Sequence, residues 1–418
     1  MMLKKNDHML SIVNKIYAMF MGVLSSSFCT RLLGVEYRGE YSYISQVANI
    51  LVLILNFGIY QSYVYNFRRQ GRSILPKYLS VFIMQFISYL ILFFVIAFIS
   101  KSYTLCLILA LVPFNCLKLQ MENIMLVENF KAKMLTNMFN VTLIASLYFV
   151  FWKFGAGNKL FIVILITVLV DILTVVIYFI VCKEKISIKY IDFSFFCGLL
   201  KFGFFPMLSA LLVSLNYNID IIFLKKMGTQ YDLSIYSVAA AVVNYVWMIP
   251  DALRDVLSNR VARNDNKTVA ISVKASTTFC IMVFITFILF GKIVLRILYG
   301  EDFVPSYKIV LILFLGVFSM IYFKLLGVVL ISEGRNIGFF CIMLISVVSN
   351  VVANYLFVPR YGGEGAAWAS VISYSVCGIT FLFYFSKLHK KSVKKYLFFD
   401  KEEKDMVLSK LFKKGERK

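Results

Sequence analysis

The residues of this chain most able to do chemistry are charged side chains set in apolar sequence. Asp171 stands eleven residues from either end of the apolar run Leu160–Cys182 and is the one charge in it. Lys324 lies a few residues past the centre of Ser306–Ser332, Lys118 and Glu122 share Tyr103–Val127, and Lys15 and Arg31 belong to Leu10–Arg31. A carboxylate at such depth either holds a cation or pairs with a buried lysine, because an isolated charge in hydrocarbon is costly. A deep ammonium or guanidinium either holds an anion or runs its stem toward the interface. Lys118 and Glu122, one helical turn apart, could instead neutralise each other. Other chemistries are poorly provided for. His8 and His389, near the chain ends, are the only histidines, and the eight cysteines include no Cys-x-x-Cys pair. Neither a zinc site nor histidine acid/base catalysis is expected, and no cofactor.

The elements that must position these charges are membrane helices. The chain is 60% hydrophobic and 16% charged, with mean hydropathy +0.80, above the roughly 45–50% apolar share of soluble domains. Twelve apolar runs are long enough to cross a hydrocarbon core, from Leu10–Arg31 and Ser42–Phe67 through to Ile337–Val358 and Ala366–Phe385. The first lacks a compact apolar segment with a small-residue cleavage site and is read as a retained helix. Net charge is +22, and the basic residues sit between apolar runs, so they signal topology rather than nucleic acid. Even-numbered links are rich in them (Arg68, Arg69, Arg72, Lys77; Arg254, Arg260, Arg263), while Lys101 and Arg360 each stand alone in odd-numbered links. Both termini are therefore expected in the cytoplasm.

Links are short throughout, which leaves no extramembrane domain for an active site. The longest, around Lys183–Lys201, divides an N-terminal six-helix lobe, 1–190, from a C-terminal one, 191–388, ahead of a basic cytoplasmic tail, 389–418. That tail either lies on the anionic leaflet or is solvated. The first joint (Gly34-Val35-Glu36-Tyr37-Arg38-Gly39-Glu40-Tyr41-Ser42) is similar to the seventh (Gly228 to Ser237). Each joins the first helix of its lobe to the second, as in a parallel repeat.

Arg31-Leu32-Leu33-Gly34 followed by Tyr37, Gly39 and Tyr41 resembles the first-loop pattern of the Wzx-type O-antigen and capsule flippases of the MOP superfamily. Ile219-Asp220 with Gly228 and Ile235–Ala239, Leu298-Tyr299-Gly300 with Tyr307, and Val358–Ala369 are similar to later stretches of that family, in the same order. The resemblance runs from the first helix to about Phe385. It implies an all-α integral membrane protein of twelve transmembrane helices in two six-helix lobes (MATE/MOP-like), in the bacterial inner membrane. It also implies alternating access that carries undecaprenyl-pyrophosphate-linked repeat units to the outer leaflet, with proton or sodium as the coupling cation and no enzymatic step. The expected partners are the polyprenyl-pyrophosphate-linked oligosaccharide, membrane lipids and other polysaccharide-assembly proteins.

Such a substrate needs a wet, cationic path. Ser11, Asn14, Lys15, Ala18, Gly22, Ser25, Ser26 and Cys29 form one helical stripe, and Ser42, Ser45, Gln46, Asn49 and Asn56 another, lining a cavity or packing helices. Lys15, Arg31, Asn49, Lys118 and Lys324 are the candidate substrate-binding residues, and Asp171 the candidate cation-coupling carboxylate. Arg31 suits bidentate capture of a pyrophosphate, or headgroup anchoring. Asp220 is expected in a rim ion pair with Lys225 or Lys226. Asn350 and Asn354, one turn apart, would bond sugars or a neighbouring helix. Two rivals stand beside the flippase. An ion-coupled multidrug-type exporter shares the plan, although a cationic cavity repels cationic drugs. A polymerase or ligase needs a large outer loop, which the chain does not offer.

Overall fold

A computed structural model describes residues 5–155, 157–183, 192–261 and 268–398; the side chains of 5–9, 12, 255, 256 and 258–261 are not part of that description. The boundary expected at 190/191 and the tail from 399 onward lie outside the described residues. The elements are α1 (Lys5–Leu55), α2 (Ser62–Gln70), α3 (Leu75–Ile99), α4 (Tyr103–Glu128), α5 (Phe130–Phe154) and α6 (Lys159–Cys182). They continue with α7 (Phe193–Met227), α8 (Gln230–Val261), α9 (Thr268–Tyr299), α10 (Ser306–Ser332), α11 (Asn336–Leu388) and the short α12 (Lys394–Leu397). No strand occurs among the described residues.

Ten helical segments among the described residues are long and apolar enough to cross a membrane. Their outward faces carry Phe98, Phe154, Ile180 and Ile337, all exposed, as suits helices whose solvent is lipid. Side chains close the helix heads where the sequence offers them. Asn129 accepts from Ala132 at 3.1 Å, Asn158 from Phe161 at 3.1 Å, and Asp192 from Ser194 and Phe195 at 2.9 and 3.1 Å, each satisfying amides that a helix start leaves unpaired.

Two of the helices are more than twice the length a bilayer needs. α1 has 51 residues and α11 has 53, or about 75–80 Å if straight. Neither is straight. Gly34 has φ 65°, ψ −174° and Gly362 has φ 54°, ψ −128°, a left-handed φ that glycine adopts without a Cβ penalty. Across Gly362 the Ser346 hydroxyl lies 3.0 Å from the Ser373 carbonyl and hydroxyl, positions that a straight helix would hold about 40 Å apart. α11 is thus a hairpin of two helices turned at Gly362. The turn at Gly34 likewise brings Tyr41 beside Cys29.

The second helix differs from its expected span of Ser42–Phe67. It ends at Leu55, where Phe57 and Gly58 take positive φ, and a 3-10 turn, Ile59–Gln61, leads into α2. The break is dictated by packing that hydropathy does not register: a Cβ on Gly58 would lie 2.2 Å from the Gly203 carbonyl oxygen of α7.

The chain forms two compact units, residues 1–237 with 297–303, and residues 238–296 with 304–418. In the first, Leu33, Ile44, Leu111, Val163 and Val170 build one apolar cluster, and Tyr63, Tyr78, Phe82, Met121 and Tyr178 a second. In the other unit, Phe323, Phe339 and Phe381 pack tilted or edge-on against one another, with ring centroids 5.3–5.8 Å apart. There α10 and α11 come so close that a Cβ on Gly378 would sit 1.8 Å from the Ser319 carbonyl oxygen. Small residues at such crossings permit the backbone contact that holds helices together in lipid.

Candidate functional site

In the first unit, α4 and α6 bring two of the expected site residues together. Lys118 Nζ donates to Asp171 Oδ1 at 2.7 Å, with Asp171 almost wholly buried and the Lys118 side chain 28% exposed. Lys118 therefore does not spend its charge on Glu122 alone, as helical spacing suggested. Buried polar pairs flank it: Gln120 to Gln85 at 2.9 Å, and Asn140 on α5 to Thr174, one turn beyond Asp171, at 2.7 Å. Apolar helices thus enclose a hydrogen-bonded seam with one carboxylate at its centre.

A second polar region gathers at the Gly34 turn. The joints that read alike in sequence dock on one another: the Gly39 amide donates to Ser234 Oγ at 2.9 Å, and that hydroxyl donates to the Val35 carbonyl at 2.6 Å. Gln230 Nε2 donates to the Glu36 carbonyl at 3.0 Å, and Lys225 pairs with Glu40. Asp220 is not in a rim ion pair. It is fully buried, and the Tyr236 hydroxyl donates to it at 2.8 Å, because Asp220 faces α8 while Lys225 turns to Glu40. Arg31 directs its fork at backbone, with Nε 3.0 Å from the Leu298 carbonyl and an Nη 2.6 Å from that of Ile297, its guanidinium carbon 5.3 Å from the Trp152 ring centroid. Lys15 and Asn49 are exposed on α1, whereas Asn14 is buried and donates to the Met134 carbonyl at 2.6 Å.

The other unit holds Lys324, 7% exposed, with Nζ 2.8 and 2.9 Å from the two Asp251 oxygens. It also lies 4.5 Å from the Trp247 ring centroid. Asp251 was missed because it follows Pro250 in the last third of α8 and precedes the basic residues from Arg254 on, where a charge reads as interfacial; its position a turn past Trp247 was the available signal. Asn354 donates to the Asn350 carbonyl at 3.0 Å, and both are buried. Among the described residues no three His, Cys, Asp or Glu side chains cluster so as to hold a metal.

Comparison with known proteins agrees with this picture. Residues 28–308 match the family model described as polysaccharide biosynthesis protein. The capsular polysaccharide biosynthesis protein CapF of Staphylococcus aureus is 24% identical over 188 residues, 43% of this chain and 48% of CapF. The match thus spans about half the length of that curated relative. The fold is similar to lipid II flippase MurJ in an inward closed conformation, with TM-score 0.70 and 16% identity over 94% of this chain and 89% of MurJ. It is also similar to an inward-facing multidrug resistance MATE family transporter, with TM-score 0.68 and 15% identity over 90% of this chain and 96% of the other. A MOP superfamily transporter from Pyrococcus furiosus gives 0.63 at 15% identity, covering 94% and 100% of the two chains. The Wzx-type resemblance carried by the Gly34, Gly228 and Leu298 motifs is upheld, and the chain, a multi-pass membrane protein with the fold of MOP transporters, belongs to the polysaccharide biosynthesis protein family.

Proposed function

We propose that this protein flips polyprenyl-pyrophosphate-linked oligosaccharide repeat units from the cytoplasmic to the outer leaflet of the bacterial inner membrane by alternating access, for surface polysaccharide assembly. The fold is common to flippases and multidrug transporters, so it does not choose between them; the family match and the placing of cations within apolar helices favour an anionic, sugar-bearing substrate. The observation that carries the reading is the Lys118–Asp171 pair, a cation held by a single carboxylate inside lipid-spanning helices. A proton or sodium ion on Asp171 would release the Lys118 ammonium to the substrate's diphosphate, coupling the two charges at one place. Lys15, Arg31, Asn49 and Lys324 complete the proposed path, Arg31 also through the segment it braces.

Twelve crossings in two six-helix lobes, 1–190 and 191–388, with both termini cytoplasmic, belong to the same proposal. The turns at Gly34 and Gly362 support the count, since each divides an overlong helix in two. The membrane potential, negative inside, favours outward movement of an anion by about 2.3 kcal/mol per charge per 100 mV. In a flippase-deleted strain, the wild-type gene should restore surface glycan and clear lipid-linked repeat units from the cytoplasmic leaflet. Restored resistance to cationic drugs without restored glycan would reject the proposal in favour of an exporter.

A further inference from the structure

Arg38 lies in the docked region at the Gly34 turn and is only 7% exposed, with its Nε fully buried. Buried guanidinium groups are ordinarily paired and hydrogen-bonded, because desolvating the charge is otherwise costly. Among the described residues Arg38 donates no hydrogen bond and forms no ion pair, and its buried Nε has no partner. Its contact is the Tyr41 ring, 5.7 Å from the guanidinium carbon, and an interaction of that kind offsets only part of the desolvation. The nearby carboxylates do not answer it. Glu36 is exposed, and Glu40 is engaged by Lys225 and by Thr104 at 3.2 Å.

The surroundings share the deficit. Cys29 and Tyr299 lie within electrostatic reach of Arg38. The Tyr299 hydroxyl and Ser26 Oγ are buried and face one another without a hydrogen bond of normal geometry, and the Thr30 hydroxyl, one turn along α1 from Ser26, is buried without a partner. An arginine that donates no hydrogen bond, beside three buried hydroxyls that make none of normal geometry, is what a desolvated oxyanion requires.

We propose that Arg38, with the hydroxyls of Ser26, Thr30 and Tyr299, forms a binding site for a phosphoryl oxyanion at the Gly34 end of the first unit. The assignment deepens the flippase reading and rests on it for the ligand's source, the diphosphate of the lipid-linked substrate. Arg31 is then the brace that holds the Leu298–Tyr299 segment over α1, and Arg38 is the residue that meets the anion. The free anion satisfies the same chemistry, so the test must separate the two sources.

Purified protein in nanodiscs would be titrated with inorganic pyrophosphate and, separately, with a short-chain polyprenyl pyrophosphate, following thermal stabilisation. Wild type should be stabilised by the lipid-linked form, and Arg38→Gln should bind about tenfold or more weakly, the loss expected for one charge-assisted contact. Stabilisation by both compounds assigns the site to the diphosphate as such; stabilisation by the lipid alone assigns it to the carrier headgroup. Should Arg38→Gln fail to fold, Thr30→Val and Tyr299→Phe, which remove one hydroxyl each at nearly constant volume, should each weaken binding severalfold. Wild-type affinity in all three variants, or no stabilisation of wild type by either compound, overturns the site. Diphosphate binding that depends on Arg38 while repeat units are not exported would keep the site and refute the flippase reading instead.

Discussion

Lys118 and Asp171, 53 residues apart in the chain, meet at 2.7 Å inside the first unit. One partner is nearly buried and the other retains a quarter of its surface. The asymmetry sets the two apart: Asp171 is enclosed, and Lys118 keeps part of its side chain accessible.

If Asp171 carries a coupling cation, Asp171→Asn should reduce surface glycan strongly at normal protein level. The double variant Lys118→Met/Asp171→Asn separates the possibilities, since it removes the charge imbalance that a single change leaves behind. Export should stay low in the double variant. Recovery of both stability and export there would reduce the pair to a structural tie.

Lys324 and Asp251 form the corresponding pair in the other unit. Lys324→Ala leaves Asp251, a third exposed, with only the Arg254 guanidinium at 3.4 Å among the described residues and should destabilise the protein by about 1–3 kcal/mol, the range for losing a hydrogen bond to a charged group. Lys324→Met/Asp251→Asn should regain most of that. Thermal unfolding in nanodiscs measures both, and equal stability of the single and double variants would contradict the pairing.

Arg31→Lys keeps a charge but loses the planar fork that spans the Ile297 and Leu298 carbonyls. It should cost about 1–3 kcal/mol and impair export, because the Leu298–Tyr299 segment loses its brace. Export and melting temperature indistinguishable from wild type would show that one contact suffices.

Gly39→Val places a side chain where even its Cβ would lie 2.8 Å from Leu233 Cγ and Ser234 Oγ, an overpacking worth about 1–3 kcal/mol. Ser234→Ala removes the hydroxyl that joins the two turns. Since both changes act on one contact, their effects should fall short of additive; strict additivity in unfolding measurements would mean that the turns are stabilised separately.

A reporter active only in the periplasm, fused after Lys418, should be silent, given the basic residues of the even-numbered links. Activity there would invert the orientation.

The sequence was informative wherever a single helix decides the matter. Apolar runs marked the spans, and Gly34 and Gly228 marked the joints, because length and glycine leave local traces. Relations between helices left none. The similarity of the two joints was readable, but not that Gly39 would donate to Ser234. Asp171 stood out by isolation, while its partner was hidden because Lys118 had a nearer carboxylate, Glu122, at helical spacing. Arg38 lies inside a motif noticed for its glycines and tyrosines, and only its burial without a partner distinguishes it from the basic residues that set topology. Asp220 was misplaced for a similar reason: counting residues from a helix end gives depth, whereas the face it presents depends on α8.

The hairpin of α11 bears on how the chain enters the bilayer during synthesis. Its two arms are joined by one turn at Gly362, and the Ser346 and Ser373 hydroxyls satisfy each other across them. In the first arm Asn354 bonds Asn350 locally, but Ser346 bonds across, so that arm inserted by itself would present Ser346 to lipid without its sister. The arms are therefore best released from the translocon together, and a truncation within the second arm would leave Ser346 without its partner rather than merely shorten the protein.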